Sequence, residues 1–61
     1  MKYKVEQIRT PAEAYNAKSV EFRDILESAL NKYENMGYIP FKEIVLQRSN
    51  DYDVYLIFVA V

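Results

Sequence analysis

Hydrophobic and polar positions change period twice along the chain. Residues 2–9 alternate, with Tyr3, Val5 and Gln7 facing one way and Lys4, Glu6 and Ile8 the other. Such alternation, with β-favouring residues two apart between charges, predicts a strand. From Phe22 the period becomes helical: Phe22, Ile25, Leu26, Ala29, Leu30, Tyr33 and Met36 form one apolar stripe. Glu21, Asp24, Ser28, Asn31 and Asn35 fall on the opposite side. Gly37 should end this helix, because glycine accepts the left-handed conformation of a C-terminal cap. Tyr38 would then fold back onto Tyr33. Alternation resumes over Tyr38–Arg48, where Ile44 and Leu46 share a face and Val45 takes the other. Pro40 cannot donate to a ladder, which puts the start of this strand at a sheet edge or just outside the sheet. Ser49-Asn50-Asp51 reads as the turn of a hairpin into a last strand, residues 52–61.

Two stretches are read from end signals. Thr10-Pro11-Ala12-Glu13 resembles a helix start, with Thr10 as cap, Pro11 at the first helical position and Glu13 closing a capping box. Residues 11–19 are compatible with a helix but weakly patterned, and stand either as a helical extension or as an ordered arm. The last strand differs from the others because both its faces are apolar. Tyr52, Val54, Leu56, Phe58 and Ala60 line one face; Tyr55, Ile57, Val59 and Val61 line the other, below Asp53. A strand of this kind needs cover on both sides.

The order strand, helix, strand, strand predicts an α+β fold: a small βαββ domain spanning residues 1–61. A right-handed crossover leaves the C-terminal strand central between two mutually parallel outer strands, with one helix packed on one face. The pattern leaves open which face of strand 52–61 meets the helix. The other face should carry Tyr55, Ile57 and Val59, with Val45 beside them. Soluble monomers seldom leave such a patch bare. A two-fold homodimer would relieve it, by sheet-face packing or by edge pairing into a six-stranded sheet.

Composition points the same way. A 61-residue chain buries only about 60% of its unfolded surface, so it usually needs disulfides, a metal or self-association. There is no cysteine and no histidine, which removes disulfides and the commonest ligands for zinc. Yet 51% of the residues are hydrophobic, including six tyrosines and three phenylalanines, which leaves association as the remaining route. No stretch approaches a membrane span, and the opening residues lack the apolar run of a secretory signal. The expectation is a complete cytoplasmic protein starting at Met1, with no membrane partner and no cofactor or metal.

Candidate chemistry is sparse. Thr10, Ser19, Ser28 and Ser49 have no histidine to activate them, and their ordinary roles are caps and turns. Asp51 and Asp53, two apart on a strand, point the same way and could share a cation weakly; their ordinary role is a solvated hairpin end. Gly37 is the only glycine and sits at the wrong end of a helix for a phosphate cradle. Tyr3, Tyr52 and Tyr55, with Lys2, Lys4, Arg9, Lys42 and Arg48, are ingredients for stacking and neutralising single-stranded nucleic acid. Charge is segregated: residues 1–9 carry net +2 and residues 37–48 net +1, while residues 11–36 carry −2. Glu21, Asp24, Glu27 and Glu34 form an acidic helix side that could meet a basic groove on a partner. Of these only Glu27 has an i,i+4 partner, Arg23. The ordinary reading of that side is a solvated face.

Four short stretches resemble a family of small bacterial and phage βαββ domains of unknown function. They are Tyr3-Lys4-Val5, the helix residues Leu26 to Leu30, Glu34-Asn35-Met36-Gly37-Tyr38, and Tyr55-Leu56-Ile57-Phe58. That family typically has tryptophan after the glycine and a basic residue after the last phenylalanine, where this chain has Tyr38 and Val59. The resemblance implies a fold and assigns no activity. In size and habit the chain is also similar to very short phage proteins that block bacterial defence systems, such as an inhibitor of the Hachiman system. That likeness implies a compact, non-enzymatic homodimer whose protein partner is a bacterial defence complex. The alternative expectation is a small single-stranded nucleic-acid-binding or regulatory module.

Overall fold

A computed structural model describes residues 2–61. In chain order it comprises β1 (Tyr3–Pro11), α1 (Ala12–Ala17), α2 (Val20–Asn35), β2 (Tyr38–Arg48) and β3 (Asp51–Ala60). The strands form one open sheet in the order β1-β3-β2, with β3 antiparallel to both neighbours. The predicted α+β architecture with a central C-terminal strand is the one observed. β3 takes the centre because it alone is apolar on both faces, whereas β1 and β2 carry their charges at the edges.

The face of β3 that meets the helices is Val54, Leu56 and Phe58. With Ile8 of β1 and Phe22, Ala29 and Tyr33 of α2 they form the buried core. Val54 and Phe58 have no solvent exposure. The Tyr33 ring stacks on Phe58 at 4.4 Å, and Tyr38 meets Tyr33 edge-on at 6.4 Å, the fold-back expected of it. Leu26, Leu30 and Val45 close the core's margin. Ile25 and Met36, although in phase with the helical stripe, remain about half exposed, so the stripe is wider than the surface it covers.

The segment after β1 departs from expectation. Thr10 does not cap a helix. It stays in the strand opposite Tyr52 and is buried, and no side chain caps the start of α1. Ladder pairing with β3 outcompetes the local hydrogen bond that threonine could have offered. Residues 12–17 then form a helix of their own. It stops at Lys18, which adopts a left-handed φ of 54°, and Tyr15 wedges edge-on between Phe22 and Tyr52. The chain restarts as α2 with Ser19 as cap, its Oγ accepting from the Phe22 amide at 3.2 Å. Gly37 has φ 86° as predicted, and its carbonyl accepts from the Val61 amide, which ties the end of β3 to the end of α2.

The β2–β3 hairpin turns on two residues, Ser49 and Asn50, with Asp51 already paired to Arg48. Ser49 holds φ 54°, a conformation that costs a side-chain-bearing residue about 1–2 kcal/mol. Ser49→Gly should remove that cost. Against glycine's greater unfolded-state freedom of about 0.5–1 kcal/mol, the net gain is about 0.5–1 kcal/mol. Urea unfolding should show a higher midpoint with unchanged slope; a lower midpoint would contradict this account of the turn.

Candidate interaction surface

Because α1 and α2 occupy one side of the sheet, the other side has no cover among the described residues. Strand alternation puts Tyr55, Ile57 and Val59 of β3 on that open side, opposite the buried Val54, Leu56 and Phe58. The register brings Gln7 and Ile44 beside Tyr55, Val5 and Lys42 beside Ile57, and Ile39 beside Val59. A bulge between Pro40 and Lys42 lets Phe41 lean over the same side, where its ring lies 6.0 Å from that of Tyr3. Phe41 is 61% exposed, Val5 57% and Leu46 54%; the three β3 side chains are half-buried between their neighbours.

Val45 does not belong to this surface. It lies opposite Val54 and packs against the core on the helix side. Its neighbours Ile44 and Leu46, which the alternation had already grouped together, take the open side instead. Val5, Ile39 and Phe41 were also missed as members of the patch. The parity of Val5 with Tyr3 was visible in the sequence, but its alignment with Ile57 depends on the β1–β3 register.

One end of the open face is charged. Asp53 is only 3% exposed although it points away from the helices, because two arginines lie over it. Arg48 Nε is 3.3 Å from its Oδ2 and Arg9 Nε is 3.9 Å from its Oδ1, while Arg9 also reaches Asp51 Oδ2 at 3.6 Å. Oδ1 accepts no hydrogen bond. Asp51 and Asp53 therefore do converge, but guanidinium groups fill the place a cation would take. Among the described residues no group of three or more His, Cys, Asp or Glu side chains could hold a metal ion.

The remaining candidates are dispersed. Tyr3, Tyr55, Lys42, Arg9 and Arg48 lie on the open face, but Tyr52 packs against Tyr15 on the other side, and Lys4 alternates onto that side too. Arg9 and Arg48 are engaged by Asp53. The open face thus holds two of the three tyrosines and three of the five basic residues, with both arginines paired to carboxylates. Glu21, Asp24, Glu27 and Glu34 are all exposed on α2. None of them joins the ion pairs seen among the described residues, and the Arg23–Glu27 pair is not formed.

Beside β1, a groove of about 340 Å³ runs between the strand and α2, lined by Glu6, Asp24, Ile25, Ser28, Ala29 and Lys32. Glu6 anchors its inner end: the Tyr33 hydroxyl donates to Glu6 Oε1 at 2.7 Å, and Lys32 Nζ lies 3.7 Å from the same oxygen. Accepting that bond from the neutral phenol raises the Tyr33 pKa, and burial and the Glu6 charge push it the same way. Tyr15 is raised too, first by burial and then by the Glu43 carboxylate its hydroxyl faces at 3.4 Å.

No family model, curated protein or solved structure matches the chain. Among the described residues, no helix is long and apolar enough to cross a membrane.

Both tyrosine shifts stabilise the fold through the neutral phenol. A folded-state pKa above the unfolded one contributes stability that is complete below the ordinary value of 10 and is lost as pH rises through the raised values. Alkaline titration followed by phenolate absorbance should show a late-ionising fraction that shrinks in Tyr33→Phe. An unchanged late fraction in that variant would contradict the Tyr33–Glu6 bond.

Proposed function

We propose that this chain is a non-catalytic protein-interaction module that self-associates through its uncovered sheet face. The supporting observation is the continuous apolar surface made by Val5, Ile57, Val59, Ile39, Phe41 and Ile44, contributed by all three strands. Monomers rarely expose contiguous apolar patches beyond a few hundred Å². The molecule's two longer dimensions, 34 and 21 Å, bound this face at about 700 Å², close to the roughly 800 Å² each partner contributes to a standard specific interface. A second copy is the occupant that fits, since an isologous sheet-on-sheet contact matches an apolar face with an equally apolar one. Edge pairing alone would enlarge the sheet and leave both bare faces exposed, so the face contact carries the reading.

Packed this way, the protein turns its helices outward. The unpaired carboxylates of Glu21, Asp24, Glu27 and Glu34 then offer an acidic surface to a basic region of a larger protein. Such a protein acts stoichiometrically, by occupying a partner's surface. An inhibitor of a bacterial defence complex, encoded by a phage and acting in the host cytosol, is the setting that the resemblance to short phage proteins suggests. The same face carries Tyr3, Tyr55 and Lys42, but the pairing of Arg9 and Arg48 with Asp51 and Asp53 leaves little free positive charge there, which weighs against the nucleic-acid alternative.

Ile57→Asp and Val59→Asp each put a carboxylate among the apolar side chains of the face, and the more exposed Leu46→Asp puts one beside its charged end. Each should halve the sedimentation mass relative to wild type while helical circular dichroism is retained. Glu27→Lys, on the outward side of α2, should leave the mass unchanged. Folded face variants that kept the wild-type mass would overturn the face contact.

A further inference from the structure

The face leaves a second surface unused, the outer edge of β1. The Ala60 amide donates to the Lys2 carbonyl, and the Ala12 amide to the Asn50 carbonyl, both at 2.9 Å. Even-numbered residues of β1 therefore turn their backbone groups toward β3, and Val5, Gln7 and Arg9 turn theirs outward. No further strand lies there among the described residues. The other outer edge, that of β2, is blunted by Pro40 and the adjoining bulge, whereas the β1 ladder runs without a register shift. Directly alongside the β1 edge lies the groove between Glu6 and α2.

We propose that this edge and groove receive β1 of a second copy, antiparallel, with Val5 opposite Val5. The choice of occupant rests on charge. The groove has an apolar floor of Ile25 and Ala29 flanked by the carboxylates of Glu6 and Asp24. Lys32 already offsets Glu6 there at 3.7 Å, which leaves one carboxylate, that of Asp24, in excess, and on that same side of β1 the chain carries Lys4 and, by alternation, Lys2. A two-fold axis through the Val5 pair sets Lys4 of each copy opposite Glu6 of the other. It also makes Val5 a pair that exchanges both backbone hydrogen bonds, as its outward amide requires. The neighbouring registers fail on charge. Centring on Lys4 opposes two ammonium groups, centring on Glu6 opposes two carboxylates, and centring on Gln7 leaves Lys4 opposite Thr10. In the Val5 register Lys2 comes opposite Ile8, toward Asp24, which lies about two helical turns from Lys32. The aliphatic stems of both lysines cover the groove floor while their ammonium groups reach its acidic rim.

This contact is separate from the face contact. Its axis is perpendicular to the sheet and that of the face contact lies in the interface plane; with the two axes intersecting, they combine into a closed assembly of four copies. The test is sedimentation in an Ile57→Asp background, where the face contact is removed. Two copies are expected there, against four for wild type. Adding Lys4→Glu or Glu6→Lys singly should give one copy, and an equimolar mixture of those two variants should return two copies, because each altered position again faces its opposite charge. Since Glu6→Lys also breaks the Tyr33 bond, hydrogen exchange on the Ile57→Asp protein supplies a readout independent of folding. The outward amides of Val5 and Gln7 should exchange as slowly as their ladder-bonded neighbours. Fast exchange at both positions, a single copy in the Ile57→Asp protein, or single charge variants that remain as two copies would overturn the edge pairing. An Ile57→Asp protein with wild-type mass would instead overturn the face contact.

Discussion

A helix layer laid on a three-stranded sheet covers one of its two faces, and β3 is apolar on both. Everything else in the molecule follows from that mismatch. Burying Val54, Leu56 and Phe58 under Phe22, Ala29 and Tyr33 satisfies one face and fixes where α2 must lie. The aromatic stack of Tyr33 on Phe58 and the wedge of Tyr15 between Phe22 and Tyr52 extend that core to both ends of the helix layer. The same alternation then forces Tyr55, Ile57 and Val59 to the outside, where the outer strands add Val5, Ile39 and Ile44, with Gln7 and Lys42 as polar members. Among the described residues no further element closes that side.

The charged cluster at the hairpin end limits the apolar face. Asp53 is buried beneath Arg9 and Arg48 at some desolvation cost, since its Oδ1 gains no hydrogen bond in return. With Asp51 it ends the outward apolar run of β3 before the turn, and so gives the face a polar end and an apolar end. A second copy packing on this surface must keep the arginines away from the apolar end, which restricts how two sheets can be laid together.

Much of this arrangement could be read from the chain, and the exceptions share one physical origin. The stripe from Phe22 to Tyr33, the stop at Gly37 and the two-sided hydrophobicity of residues 52–61 are local patterns, and each emerged as expected. Thr10 and Val45 did not, because their environments are set across strands. Thr10 could cap a helix or extend a strand, and only its pairing with Tyr52 decides between them. Val45 had the correct parity relative to Ile44 and Leu46, but which parity faces the helices depends on its register against Val54. An apolar residue on a strand between two apolar sets carries no local mark of its side. Ser19 shows the reverse case: the cap it provides was available in the sequence, but the weak pattern of residues 11–19 hid the break at Lys18 that makes a cap necessary.

The claim on which the account turns is that the open sheet face meets a second copy. An isotope-filtered NOE experiment on an equal mixture of labelled and unlabelled chains addresses it without altering any residue. The account predicts intermolecular contacts from the methyl groups of Ile57, Val59 and Ile44 to side chains of the same face. Intermolecular contacts confined to the helices, or none from these methyl groups, would contradict it.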